Sequence, residues 1–263
     1  MSHHIVEVSD LRYTYPDGTR ALKGISFRIT HGEAVAVVGA NGAGKSTLLQ
    51  HLNGYVSPQH GTVRIGDYPL TKDTLQEVRR TVGMVFQDPD DQLFMPTVRE
   101  DVAFGPLNLG LPVEEVEARV AAALERVGAS SLRDRAPYHL SGGEKRAVAI
   151  ATVLAMSPDV LVMDEPSSNL DPAARRRLIN LLQSFQHTKI IATHDLEMVA
   201  DLCRRTIVFQ KGKIAADGPT EEIFRDKALL EACGLEQIHR MQPCPVCGNL
   251  PTMSQSAVVG DGD

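Results

Sequence analysis

Short, largely apolar runs recur along the chain and indicate buried strands. The runs at residues 34–38, 160–163 and 189–193 contain almost no polar interruption. Strands buried on both faces of a parallel sheet have this continuous pattern, whereas half-exposed strands alternate. Four further β-rich runs predict additional strands, at residues 4–9, 25–29, 62–65 and 82–86.

Helical periodicity dominates the middle of the chain, between residues 98 and 156. Residues 173–185 predict another helix, and residues 207–209 and 213–215 flank a hairpin turn. Strands that alternate with helices in this way predict an α/β fold. The clearest 3.6-residue period is in residues 114–127, where the apolar positions are Val116, Val120, Leu124 and Val127.

Composition and charge argue against a nucleic-acid-binding, a membrane-spanning or a secreted protein. The chain has 263 residues, 43% hydrophobic and 23% charged, which suits one large globular domain or a domain with a subdomain. A net charge of −6, an aromatic content of 5% and the absence of tryptophan argue against a nucleic-acid partner. No apolar run approaches the ~20 residues of a membrane-spanning helix, and no signal-peptide pattern is visible. Four cysteines do not make a disulfide framework here, so we expect a cytosolic protein.

The most informative motif is a glycine-rich loop at residues 39–46, Gly-Ala-Asn-Gly-Ala-Gly-Lys-Ser. It lies between a predicted strand and a predicted helix, which is the context of a phosphate-binding loop, or P-loop. Its backbone N–H groups and the following helix N-terminus would surround a phosphate chain. Lys45 would reach the β- and γ-phosphates, and Ser46 would ligate Mg²⁺. The loop predicts an ATP site formed by Gly39, Asn41, Gly42, Gly44, Lys45, Ser46 and Thr47.

A second glycine motif, Ser141-Gly142-Gly143, opens a predicted helix. Free N–H groups, a hydroxyl and the helix dipole make such a segment an anion site. Serine is also a favoured residue at the start of a helix, so an ordinary capping role for Ser141 is the alternative. By itself the motif does not separate the two roles.

Polar side chains also follow several predicted strands. Asp164 and Glu165 lie at a strand's carboxyl end, where ligands gather in open α/β sheets. Asp164 would hold Mg²⁺, and Glu165 would polarise the attacking water. Gln87 could reach the metal or the water, and His194 could contact the γ-phosphate, although a lone histidine is more often structural. The predicted catalytic residues are Lys45, Gln87, Glu165 and His194, and the predicted Mg²⁺ ligands are Ser46, Gln87 and Asp164.

In this order, the motifs resemble those of the ATP-binding-cassette ATPases over roughly residues 11–218. The resemblance implies a P-loop fold with a mixed sheet core, an N-terminal antiparallel β subdomain and a helical signature subdomain. The signature is Leu140-Ser141-Gly142-Gly143. The cassette would occupy residues 1–236, with the helical subdomain at about residues 88–156. At three places the chain has residues other than those common in the family: Glu144, Ala147 and the pair Ser168-Asn169.

The same resemblance implies a shared nucleotide site. Two cassettes would pair head to tail, with ATP between the P-loop of one and Ser141, Gly142 and Gly143 of the other. Tyr15 matches the aromatic residue that stacks on adenine, and Tyr13 is the alternative.

The glutamine loop narrows the family. Residues 86–94, Phe-Gln-Asp-Pro-Asp-Asp-Gln-Leu-Phe, are similar to the loop of energy-coupling-factor and cobalt-type importers, and residues 15–18, 101–106 and 108–111 continue the similarity. This implies the ATP-hydrolysing motor of a micronutrient importer, with cobalt or nickel favoured and vitamins as the alternative. The implied partners are a second ATPase subunit, in a homodimer or a heterodimer, a transmembrane coupling component and a membrane substrate-binding component. The chain would lie at the cytoplasmic face of the cell membrane as a peripheral protein.

Two alternatives stay open. Asp90, Asp91, Leu93 and Phe94 suit a docking surface for a helix of the transmembrane partner, but Leu93 and Phe94 could instead be core. A soluble assembly ATPase is the other functional candidate, because a CxxC motif lies near the C-terminus. A chromosome ATPase is disfavoured, since residues 47–139 hold no sustained coiled-coil heptads.

The last segment, residues 237–263, is predicted to be a flexible tail. Its Cys244 and Cys247 form a CxxC pair, which is half of a four-thiolate zinc site. His239 or a second chain could supply further ligands. A flexible tail whose CxxC is unoccupied or redox-active is the alternative.

Overall fold

The computed structural model describes residues 4–238. The strands are β1 His4–Thr14, β2 Arg20–Thr30, β3 Ala34–Val38, β4 His60–Ile65, β5 Tyr68–Pro69, β6 Val82–Val85, β7 Val160–Asp164, β8 Thr188–Ala192, β9 Arg205–Gln210 and β10 Lys213–Pro219. The helices are α1 Lys45–Leu52, α2 Leu75–Thr81, α3 Val98–Asn108, α4 Val113–Arg126, α5 Gly142–Leu154, α6 Pro172–Ser184, α7 Leu196–Leu202, α8 Thr220–Arg225 and α9 Lys227–Ala232.

Two sheets organise these elements. The N-terminal sheet has the strand order β2-β1-β4-β5 and is antiparallel. The central sheet has the order β10-β9-β3-β8-β7-β6, in which only the β9–β10 pair is antiparallel. The predicted α/β class, the mixed central sheet and the N-terminal antiparallel sheet are confirmed.

The central strands are buried on both faces, which explains their unbroken apolar runs. In β3, Val35 and Val37 pack with α1 and the N-terminal sheet, whereas Ala36 and Val38 pack with the helices on the opposite face. Successive side chains of a strand point to opposite faces, so each residue of β3 joins one of two cores. Helices α3, α4 and α5 pack on one another. None of the helices within residues 4–238 is long and apolar enough to cross a membrane.

Parallel pairing brings four strand ends to one edge of the central sheet. Val37 of β3 and Asp164 of β7 both stand opposite Ala192 of β8, and Val85 of β6 stands opposite Met163. The segments that follow these strands therefore meet at the carboxyl edge of the sheet, although they are far apart in sequence.

The N-terminal strands extend beyond the predicted residues 4–9 and 25–29. Both β1 and β2 have eleven residues, and their pairing shifts register between Val8 and Leu11. Asp10, in this irregular stretch, has a φ of 44°. A bulge of this kind interrupts the two-residue alternation, which is why the pattern predicts only part of each strand.

Candidate nucleotide site

The P-loop connects β3 to α1, and its glycines allow a tight path. A Cβ on Gly39 would lie 2.3 Å from the Phe209 carbonyl oxygen, and one on Gly44 would lie 2.7 Å from the Ala21 carbonyl oxygen. Both residues have positive φ, 151° and 108°. The buried Lys45 ammonium donates hydrogen bonds to the Gly39 carbonyl (2.8 Å) and to the Ala40 carbonyl (3.3 Å). The loop thus places its lysine against its own backbone.

The residues near the P-loop enclose a cleft of about 470 Å³. Thr19, Arg20 and Ala21, which the sequence did not predict, also line it. Gly39 and Asp164 are not lining residues, but they contact Lys45 and Ser46, which are. The predicted residues that line the cleft are Tyr15, Asn41, Gly42, Gly44, Lys45, Ser46, Thr47, Gln87, Glu165 and His194.

Asp164 ends β7 as a buried carboxylate beside the P-loop. Burial raises its pKa, a hydrogen bond with the Ser46 side chain opposes this, and the neighbouring Glu165 carboxylate adds to the rise. Among the described residues, no hydrogen-bond partner approaches its buried Oδ1. An unpartnered carboxylate oxygen next to a serine hydroxyl is a donor set that suits Mg²⁺. Ser46, Asp164 and the nearby Gln87 therefore fit the predicted metal ligands.

Glu165 is held from the end of β8. Its Oε2 accepts hydrogen bonds from the Thr193 hydroxyl (3.0 Å) and the His194 backbone N–H (3.3 Å) and lies 2.9 Å from His194 Nδ1. The Glu165 side chain is 9% exposed and that of His194 is 68% exposed. A buried, oriented carboxylate and an exposed imidazole thus share the cleft with the P-loop.

Tyr15, rather than Tyr13, lines the cleft. Its hydroxyl forms a hydrogen bond of 3.0 Å with Thr47 Oγ1 at the start of α1. The Tyr13 ring packs edge-on against Tyr15 and against His51, at centroid distances of 5.0 and 4.9 Å. Tyr13 therefore supports Tyr15 from the side.

Ser141 caps α5, as the alternative interpretation proposed. Its hydroxyl accepts from the Glu144 N–H (3.4 Å), and its own N–H donates to Glu144 Oε2 (2.7 Å). The Ser141 N–H and the Ser141 hydroxyl, which also donates to Glu144 Oε2 (2.8 Å), hold the Glu144 pKa below its usual value. Ser141 and Gly142 are nevertheless exposed, and neither lines the cleft of its own chain. A Cβ on Gly142 would meet open space, so the motif faces outward.

Sequence reasoning missed Arg146, which ties α5 to the glutamine loop. This buried arginine donates from Nη1 to the Phe86 carbonyl (2.7 Å) and from Nη2 to the Gln87 carbonyl (2.6 Å). Burial lowers its pKa. One signal was present in the sequence. The family often has an arginine at the position of Ala147, and in this chain an arginine lies one position earlier.

Gln92 fastens the same loop to α5. Its amide donates to the Ala149 carbonyl (2.8 Å) and the Thr152 hydroxyl (2.7 Å), and it accepts from the Phe86 N–H (3.2 Å). Gln92 was included in the glutamine-loop motif from the sequence, but no role was predicted for it.

A second missed anchor is the ion pair between Arg175 of α6 and Asp195, which caps α7. Arg175 Nε and Nη2 lie 2.7 and 2.8 Å from the two carboxylate oxygens, and Ser167 also donates to Asp195 (3.1 Å). The loops after Glu165 and after His194 are thereby joined.

The structure assigns Leu93 to the core and Phe94 to the exposed surface. Leu93 belongs to the hydrophobic core, whereas Phe94 is 62% exposed and packs edge-on against Phe104 at 5.0 Å. The candidate zinc ligands Cys244 and Cys247, with His239, lie outside the described residues. Cys203 and Cys233 are buried free thiols.

A P-loop at the carboxyl edge of a mostly parallel sheet, with a carboxylate pair beside it, defines a P-loop ATPase. Residues 22–168 match the ABC transporter family, and the chain belongs to that family. The predicted family, fold and ATPase class are confirmed.

The relatives narrow the comparison. A Geobacter sulfurreducens protein, whose name says no more than ABC transporter ATP-binding protein, is 69% identical over 94% of this chain and all of its own length. The energy-coupling factor transporter ATP-binding protein EcfA of Methanothermobacter thermautotrophicus is 52% identical over 88% of this chain and 76% of its own. The solved structure of CbiO1 from Clostridium perfringens, part of the ABC transporter complex CbiONQ, superposes with a TM-score of 0.77 at 40% identity, over 88% of this chain and 94% of that one.

Proposed function

We propose that this chain is the ATP-hydrolysing motor subunit of an energy-coupling-factor importer and acts as a peripheral protein at the cytoplasmic face of the membrane. The main support for this proposal is the path of the glutamine loop, residues 86–94, from the nucleotide cleft to the surface. At one end Gln87 lines the nucleotide cleft, and at the other Phe94 lies exposed on the surface. A segment that reaches from the cleft to the surface can transmit a change at the nucleotide to a protein docked outside.

The chemistry of the cleft supports ATP hydrolysis. Lys45 would exchange its two carbonyl contacts for the β- and γ-phosphates. Mg²⁺, held by Ser46, Gln87 and Asp164, would supply positive charge to the phosphates. Glu165, oriented by Thr193 and the His194 N–H, would accept the proton of the attacking water or orient it.

His194 would contact the γ-phosphate and respond to its loss. Its imidazole is exposed towards the cleft while its backbone is tied to Glu165. The same residue can therefore link the base to the terminal phosphate. Tyr15 would provide the surface for adenine.

The outward-facing signature supports a paired arrangement. Ser141 and Gly142 are exposed and lie away from the cleft of their own chain, so the catalytic cage would be completed only by a second ATPase subunit. A homodimer is sufficient, because this chain contains Lys45, Glu165 and the signature together. A heterodimer with a second ATPase is the alternative.

The surface beside Phe94 supports a membrane partner. Phe104 and Leu107 of α3 are 43% and 53% exposed, and Phe104 also lines a groove of about 500 Å³ between α2 and α3. Arg79 and Arg80 stand on the α2 side of the groove. An amphipathic helix with an acidic face, from a transmembrane coupling component, would match this surface.

The imported substrate is proposed to be cobalt or nickel ions, with vitamins as the alternative. This choice rests on the similarity of residues 86–94 to the loop of cobalt-type importers. A separate membrane component would bind the substrate, so the motor itself carries no substrate site.

Reconstitution with the neighbouring membrane components tests the proposal. The wild-type complex should take up labelled Co²⁺ or Ni²⁺ in an ATP-dependent way. Phe94→Ser should reduce co-purification with the membrane component and leave basal ATP hydrolysis nearly intact. Tyr68→Ser, which removes another exposed aromatic residue in β5, is the matched control. ATP-dependent uptake of vitamins but not of metal ions would select the alternative, and failure to bind any membrane component would refute the importer role.

A further inference from the structure

The amino edge of the central sheet, opposite the nucleotide edge, carries a cluster of metal-binding side chains. His31 lies in the turn before β3, Asp159 directly precedes β7, and His187 directly precedes β8. One ligand atom from each of these exposed residues lies within 4.8 Å of the other two. The cluster uses none of the residues that line the nucleotide cleft.

Strand pairing creates this meeting point. Val160 stands opposite Thr188, so the residues before them, Asp159 and His187, enter the sheet side by side. Ala34 of β3 stands opposite Lys189, which brings the preceding turn with His31 to the same place. The five residues of β3, roughly 17 Å of extended chain, separate this turn from the P-loop.

Hydrogen bonds fix the three backbones to one another. The Gly32 N–H donates to the Thr188 hydroxyl (2.9 Å), and the Thr188 N–H donates to the Asp159 carbonyl (3.2 Å). The Lys189 N–H donates to the Glu33 carbonyl (3.0 Å). Each bond joins residues that lie within two positions of the clustered residues, or one of those residues itself. The positions of the three Cα atoms are thus set before any ligand binds.

The aromatic contacts around His187 restrict its ring. The buried Phe185 packs against it at a centroid distance of 5.4 Å, and the His31 ring lies 6.1 Å away at an interplanar angle of 80°. Exposed imidazoles held in this way keep a ring nitrogen available.

We propose that His31, Asp159 and His187 bind one divalent transition-metal ion of the borderline class, such as Zn²⁺ or Ni²⁺. Two imidazoles and one carboxylate suit these ions, and water would occupy the remaining positions. With metal–ligand bonds of about 2.1 Å, tetrahedral ligand atoms lie about 3.4 Å apart. Rotation of the exposed Asp159 and His31 side chains towards the restricted His187 ring supplies the contraction from the present spacing, which is up to 4.8 Å.

The expected consequence is a clamp between two parts of the fold. His31 follows β2 of the N-terminal sheet, whereas Asp159 and His187 directly precede β7 and β8 of the central sheet. An ion that binds only the folded chain stabilises it by mass action. At a hundredfold excess over the dissociation constant, the melting temperature should rise by about 5–10 °C.

The test measures Zn²⁺ and Ni²⁺ binding by calorimetry to the full chain, without nucleotide and at neutral pH. Every protein carries Cys244→Ser and Cys247→Ser to remove competing thiolates, and His3 and His4 are kept throughout so that any contribution from them is constant. The parent should bind one ion at the cluster. His187→Ala and Asp159→Asn should each weaken this binding at least tenfold and abolish the rise in melting temperature. His60→Ala, at an exposed histidine of β4, is the control and should bind like the parent.

Three outcomes would overturn the site: no binding to the parent, equal binding by Asp159→Asn and the parent, or a matching loss in His60→Ala. Asp159→Asn preserves the backbone carbonyl that accepts from Thr188, so the test survives if His187→Ala folds poorly. Metal binding at this cluster requires neither transport nor ATP hydrolysis.

Discussion

Replacing Arg146 with methionine should weaken both the fold and the link between the signature helix and the nucleotide cleft. The arginine donates two short hydrogen bonds, to the Phe86 and Gln87 carbonyls, at 2.7 and 2.6 Å. Methionine fills a similar volume but donates nothing, so both carbonyls lose this partner.

The magnitude follows from two opposing effects. Each hydrogen bond from a charged donor contributes about 1.5–3 kcal/mol. Burial of the charged guanidinium is unfavourable and lowers the pKa of Arg146. Removing the charge therefore offsets part of the stability lost with the two hydrogen bonds. We therefore expect a net loss of about 2 kcal/mol, or about 4–8 °C in melting temperature for a chain of this size.

The functional effect should separate binding from hydrolysis. The P-loop does not contact Arg146, so ATP affinity, measured with a fluorescent analogue, should stay near the wild-type value. A loosened Gln87 should lower the hydrolysis rate by about tenfold, which corresponds to about 1.4 kcal/mol in the activation barrier. Arg146→Lys, which retains the charge but not the fork geometry, should fall between the two proteins.

Arg225→Met is the matched control, because this arginine lies in an exposed pair with Glu221. Exposed pairs of this kind, one helical turn apart, contribute about 0.3–0.5 kcal/mol, so its melting temperature should change by no more than about 2 °C. If Arg146→Met melts and hydrolyses ATP like the wild type, the two hydrogen bonds do not position the glutamine loop.

The remaining predictions concern the nucleotide site. Glu165→Gln should retain ATP binding but slow turnover strongly and accumulate an ATP-bound dimer, which size-exclusion chromatography would detect; wild-type turnover would remove Glu165 from its role. Ser141→Arg should bind ATP as a single chain but fail to dimerise, whereas Ser141→Thr, which keeps the cap, should dimerise; ATP-driven dimers of Ser141→Arg would contradict the shared site. Burial raises the folded-state pKa of Asp164, so the folded chain holds its proton more tightly than the unfolded one, and this carboxyl makes the wild type lose stability as the pH rises past 3.8. Without Mg²⁺ and nucleotide, the melting temperature of Asp164→Asn relative to that of the wild type should therefore increase as the pH rises above 3.8, and a difference that does not change with pH would refute the assignment.

Local patterns predicted much of the fold. Strands β3, β7 and β8 were recognisable because burial on both faces leaves continuous apolar runs. The P-loop was recognisable because its path requires glycine. At Gly39, for example, the backbone approaches Phe209 too closely for any Cβ atom to fit. Where a bulge broke the alternation near Asp10, the pattern predicted only part of β1.

Neighbouring residues with similar side chains required the tertiary structure to separate them. Leu93 and Phe94 are equally apolar, yet one packs in the core and the other faces outward. Ser141 had two candidate roles, and the structure shows the cap together with an exposed position away from its own cleft.

The sequence by itself determined the strand–loop–helix unit at the P-loop, the apolar strands and the residue types available for phosphate chemistry. Only the tertiary structure decided that Arg146 reaches the glutamine loop, that Thr193 holds Glu165, and that His31, Asp159 and His187 share one edge of the sheet. The physical reason is that side-chain periodicity reports the burial of each segment along its own axis, whereas the neighbours of a strand are set by pairing between segments distant in the chain.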